Sequence, residues 1–155
     1  MSERDWMEEA LVLARQAGDE GEVPIGAVIV DADGKIIGRG RNRREAGDPL
    51  GHAEIEAIRE AAAAAGDWRL SGTTMVVTLE PCAMCAGAIV NARIDRLIFA
   101  APDPKAGFCG SLGNLVQDPR LNHRVLLEQG LCEEESRALL QAFFRGLRGR
   151  KFTTE

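Results

Sequence analysis

No apolar run in these 155 residues approaches the roughly 20 that a membrane-spanning helix needs. The start, Met1-Ser2-Glu3-Arg4-Asp5-Trp6, carries acid where an export signal would carry a basic stretch and then apolar residues. Both absences lead to the expectation of a cytoplasmic protein with no membrane contact. There is no internal repeat, low-complexity linker or break in composition. One domain is therefore expected over residues 1–150, with a short tail at 151–155, long enough to bury a core without disulfide staples. Nor is there a disulfide framework. Of the four cysteines, Cys82 and Cys85 stand three apart, while Cys109 and Cys132 are scattered. In a reducing compartment that asymmetry points to a metal site. An excess of basic charge is missing too: the net charge of −5 argues against a protein that coats nucleic acid nonspecifically. Two local basic stretches run against that average, Arg39-Arg41-Arg43-Arg44 and Arg145-Arg148-Arg150-Lys151. Taken alone, both read as solvated surface before they read as binding sites.

What is present alternates between helical and strand patterns. Trp6, Ala10, Leu13, Ala14 and Ala17 recur at three and four residues, predicting an amphipathic helix that stops near Gly18 or Gly21. Ile25 to Val30 and Lys35 to Gly38, joined by the turn Asp31-Ala32-Asp33-Gly34, read as a hairpin. After a loop at Asp48-Pro49, the alanine-rich stretch 53–65 reads as a helix ended by Gly66. Thr73 to Leu79 has the composition of a buried strand. Pro81 opens a small-residue helix over 82–91, and Leu97 to Ala101 is a further strand. Residues 102–119 show no period, as functional loops often do not. Arg124 to Glu128 reads as a last strand. Leu139, Leu140, Phe143, Phe144 and Leu147 then mark a final helix. The alternation predicts one α/β sheet with helices on both faces.

The chemistry concentrates in His52-x-Glu54 and Pro81-Cys82-x-x-Cys85. A neutral imidazole and two thiolates suit zinc, and three protein ligands leave the fourth tetrahedral position for water. Cys82 and Cys85, placed on the first turn of a helix, share a face at its positive end, which favours thiolates. Pro81 fits the helix start, where its missing N–H costs nothing. Glu54 is not needed as a fourth ligand, since four would close a catalytic site. Beside the metal it is free to carry a proton between an activated water and a substrate amidine. A lone Cys-x-x-Cys would also fit a redox pair or half of a structural zinc site, with His123, Cys109 and Cys132 as the remaining candidate ligands. Neither alternative accounts for the histidine and glutamate that open the preceding helix.

His52-Ala53-Glu54 together with Thr78-Leu79-Glu80-Pro81-Cys82-Ala83-Met84-Cys85-Ala86-Gly87-Ala88 resembles the zinc signature of the cytidine deaminase superfamily. From the first helix to about Arg148, the chain is similar to the bacterial tRNA adenosine deaminases of that superfamily. The resemblance implies a three-layer α/β/α fold on a mixed five-stranded sheet, one zinc per subunit, no organic cofactor and a homodimer. It also implies hydrolysis of adenosine to inosine at the wobble position of a tRNA anticodon stem-loop, with release of ammonia. By that likeness Asn42, at the end of the hairpin, contacts the flipped nucleotide. Asp103 and Lys105 meet the sugar and backbone, and Phe144 and Arg145 approach the stem-loop. His123 is expected to be structural. A free nucleobase or nucleoside deaminase for guanine or cytosine would use the same zinc site. A noncatalytic zinc protein that binds RNA would have no use for Glu54.

Overall fold

In a computed structural model of the chain, residues 1–153 are described. Helix α1 spans Glu3–Asp19. The Ser2 hydroxyl accepts from the Asp5 N–H while the Asp5 carboxylate accepts from the Ser2 N–H, a reciprocal cap that fixes the start of the helix. Strands β1 (Gly26–Val30) and β2 (Ile36–Arg41) form the expected hairpin. The Asp31 carboxylate accepts from the N–H groups of Asp33 and Lys35 and so ties its turn.

Strand β2 runs past the expected end at Gly38, through Arg41, because two glycines face helix α2 (Ala53–Ala65). A Cβ on Gly38 or Gly40 would overlap the backbone carbonyls of Ala57 or Ala53. Glycine lets the helix lie directly on the strand, and the same glycines hide the strand from composition. Helix α2 ends where Gly66 turns left-handed, as expected.

Strand β3 (Thr74–Leu79), helix α3 (Ala83–Asn91), strand β4 (Arg96–Ala101), strand β5 (Leu126–Gln129) and helix α4 (Glu133–Thr153) complete the chain. Strand β5 begins two residues later than predicted. Helix α3 begins one residue later, so Cys82 is its extended N-cap and Pro81 precedes the cap instead of filling the first helical position. Of the expected tail, residues 151–153 continue α4. Residues 154–155 lie outside the described residues, as do the side chains of Arg148, Arg150 and Lys151.

The strand order is β2-β1-β3-β4-β5, with β1 antiparallel to both neighbours and β3, β4 and β5 parallel. Alternate residues feed opposite faces. Ala27, Ile29, Met75, Val77, Leu97 and Phe99 pack beneath α2 and α3. Val28, Val30, Val76, Ile98 and Ala100 pack against α1 and α4. The three central strands are thus buried on both sides, which explains their near-continuous apolar runs. The expected three-layer α/β/α fold on a mixed five-stranded sheet is what forms. Among the described residues no helix is long and apolar enough to cross a membrane.

Candidate active site

Ligands in open α/β sheets bind beyond the carboxyl ends of parallel strands. Here β3 runs out at Leu79 and delivers Glu80, Pro81 and Cys82 to the start of α3. His52 is the N-cap of α2, and the two helix starts meet. His52 Nδ1 lies 3.6 Å from Cys82 Sγ and 3.4 Å from Cys85 Sγ. A tetrahedral zinc with ordinary Zn–N and Zn–S bonds separates a nitrogen and a sulfur ligand by about 3.6 Å. The two distances match the edges such a tetrahedron would have, and the residues present fit the ion. Among the described residues these three form a ligand group, with atoms all within 4.8 Å of one another.

The rival ligands are elsewhere. His123 Nε2 meets the Ile94 carbonyl at 2.7 Å, a packing role as expected. Cys132 is buried under α1 and α4 on the far face of the sheet. Cys109 is buried in the core beneath α2 and α3, where burial pushes its thiol up.

The electrostatics suit a cation. A hydrogen bond from Cys85 and another from His52 hold the Cys82 thiol down, at about 4, against the opposing effect of burial. The same bond to Cys82, together with burial, pushes Cys85 up, and the hydrogen bond with Cys82 raises His52. The protein groups alone thus put the negative charge on Cys82, and a dication binding there would displace the protons shared around it. Glu54, in the first turn of α2, is only 4% exposed. Burial pushes its carboxyl up to about 7, so it can take and give a proton near neutral pH.

These groups floor a cavity of about 450 Å³. Of the residues singled out in the sequence, His52, Glu54, Cys82, Asn42, Asp103, Lys105 and Phe144 line it, and Cys85 lies buried behind Cys82. The Asn42 N–H donates to the Ile25 carbonyl, which fixes the residue at the end of β2. Asp103 does two things at once. Its Oδ1 accepts from the N–H groups of Lys105 and Ala106 to cap a turn, and the same side chain borders the cavity. Phe144 is 43% exposed at the rim and meets Phe143 edge to face at 5.5 Å. Arg145 is exposed on α4 and is not part of the lining.

Sequence reasoning missed two charged lining residues, Arg44 and Glu80. Arg44 sat inside a basic stretch indistinguishable from solvated surface. Glu80 stands within the zinc signature at a position to which metal-ligand spacing assigns no role. Its signal was an acid between a buried strand and a proline, a place where a charge needs a partner.

Two helix starts presenting imidazole and thiolates, with a buried carboxyl beside them under a mixed sheet, define a deaminase of the cytidine deaminase fold. The profile of the MafB19-like deaminases matches residues 1–148, and the chain belongs to that family. Its full-length relatives include a tRNA-specific adenosine deaminase from Bacillus subtilis, 50% identical over 94% of this chain and 91% of that protein. A solved tRNA:A34 deaminase, which edits A to I at the wobble position of transfer RNA, superposes with a TM-score of 0.84. It is 50% identical, over 88% of this chain and 99% of its own. The guanine deaminase from Nitrosomonas europaea has a TM-score of 0.80 over 92% of this chain and 84% of its own. At 24% identity it shares the fold alone.

Proposed function

We propose that this protein deaminates adenosine to inosine at the wobble position of a tRNA anticodon, consuming water and releasing ammonia. The observation that carries the reading is one cavity. It joins the His52-Cys82 floor and Glu54 to Asn42, Asp103, Lys105 and Phe144, in a chain half identical to tRNA-specific adenosine deaminases. His52, Cys82 and Cys85 would hold zinc, which when bound would lower the pKa of a water so that hydroxide is available to C6 of the purine near neutral pH. Glu54 moves the protons: it takes one from the attacking water and gives it to ring N1, then takes the proton of the new C6 hydroxyl and gives it to the departing amine as the C–N bond breaks.

The other residues bind and orient. A flipped base costs less to extract from an anticodon loop than from a duplex. Val23, Ile25 and Leu79 give the base an apolar wall, and Asn42 offers an amide to its edge or sugar. The second carboxylate oxygen of Asp103 is suited to a ribose 2′-hydroxyl, and Lys105 to a phosphate. Phe144 provides a ring at the rim for a neighbouring base, and Arg145, outside the cavity, meets phosphate further along the strand.

We place the enzyme in the cytoplasm, as a homodimer with one zinc per subunit, and assign it no organic cofactor. The outward side of α3 supports the dimer: Met84, Gly87 and Ala88 are only half-buried, and nothing approaches the position of a Cβ on Gly87. Light scattering at twice the 16.7 kDa chain mass is the expected result. The substrate is tested with a short anticodon stem-loop carrying wobble adenosine. Conversion to inosine is expected, and an inert stem-loop with turnover of free guanine or cytosine overturns the assignment.

A further inference from the structure

We propose that Glu80 is the positioning residue of the cavity, its carboxylate acting as the core around which the loop carrying Asp103 and Lys105 is wound. The proposal rests on reading that loop as the one that meets RNA. Residues 102–114 belong to no helix or strand, so their N–H groups need partners from outside regular structure. Glu80 supplies three of them, those of Asp103, Cys109 and Ser111, from a site only 2% exposed. Its Oε1 accepts from the Asp103 N–H at 2.9 Å and the Ser111 hydroxyl at 2.5 Å. Its Oε2 accepts from the N–H groups of Cys109 and Ser111, both at 3.0 Å.

Among the described residues no Lys or Arg forms an ion pair with it. Burying a carboxylate without a cation is costly, and four charge-assisted hydrogen bonds are what offset that cost.

Three further observations tie this anchor to function. A Cβ on Gly107 would overlap the Glu80 carboxylate, so the loop closes around the acid only because residue 107 is glycine. The Phe108 N–H donates to the Pro81 carbonyl at 2.9 Å, fastening the same loop next to the ligand Cys82. From Glu80 the hydrogen bonds continue outward: Asp103 is held by its N–H, and the Asp103 carboxylate in turn holds Lys105 and Ala106. The aim of both substrate-facing side chains therefore traces back to one buried acid. Glu80 sits two residues from Cys82 yet is not part of the ligand group, so the loop and the metal floor are separable.

The test is Glu80→Gln, which removes the charge and turns NH₂ donors against loop donors. In the substrate-free protein, hydrogen exchange at the Asp103, Cys109 and Ser111 amides is expected to speed up about tenfold or more. Zinc per chain stays unchanged, and KM for the wobble-adenosine stem-loop rises about tenfold with kcat within about threefold. Unchanged exchange at the three amides overturns the proposal. So does a loss confined to kcat, or loss of zinc along with activity. Should Glu80→Gln fail to fold, Ser111→Ala removes one of the four bonds. It is expected to raise KM about two- to threefold, and unchanged KM and exchange there overturn the proposal equally. A wild-type protein inert on the stem-loop would defeat the substrate reading, while the exchange measurement would still judge Glu80.

Discussion

The floor and the wall of the cavity are held by different physics. The floor is made of helix starts: His52 caps α2, Cys82 caps α3, and Cys85 and Glu54 stand in the first turns. Each side chain there is aimed by regular structure packed on the sheet. The wall at Asp103 and Lys105 belongs to no helix or strand and is held by long-range bonds, four to the acid Glu80 and one from the Phe108 N–H to the Pro81 carbonyl. A floor built this way resists change and serves any amidine. On the proposed function, a wall built this way is where a substrate preference would be set, separately from the metal ligands.

The largest effect should come from breaking the floor. Stripping the metal with a chelator, or Cys85→Ala, is expected to abolish deamination. Loss of a tightly held ion should also lower Tm by roughly 10 °C in a domain of this size, read by calorimetry. Next in size, Glu54→Ala should keep zinc and fold but reduce kcat by about 10²- to 10⁴-fold, the usual worth of a positioned proton carrier. Substantial remaining turnover would remove Glu54 from the mechanism. On the wall, Gly107→Ala forces a Cβ into the Glu80 carboxylate. We expect KM for the stem-loop to rise about tenfold with zinc content unchanged, and a fall in zinc instead would erase the distinction between wall and floor. The smallest effect is at Cys109, whose buried thiol is held protonated. Iodoacetamide at neutral pH should leave Cys109 unmodified in the folded protein, whereas rapid alkylation would mean that the loop opens.

The same division explains what could be read from residues alone. His52, Glu54, Cys82 and Cys85 were legible because their spacing is local and each residue type has a metal or proton chemistry. The helix and strand patterns were legible wherever one face alternates or a run stays apolar, as in α1 and β3. Composition ends strand β2 at Gly38 because glycine is uncommon in strands, whereas in the fold Gly38 and Gly40 admit the close approach of α2. Pro81 lies two positions before the first helical residue, because Cys82 takes the extended N-cap place between them. Glu80 was not legible because its partners lie 23 to 31 residues away, in a stretch without a period. Asn42, Asp103, Lys105 and Phe144 were reached through likeness, and the cavity gathers them. Arg145 it leaves outside.

The most direct test mixes the rival substrates in one tube: a wobble-adenosine stem-loop, free adenosine, guanine and cytidine at equal concentration, read by mass spectrometry. The account predicts inosine at the wobble position, one ammonia per inosine, and the three small molecules untouched. Deamination of a small molecule beside an unchanged stem-loop would contradict it.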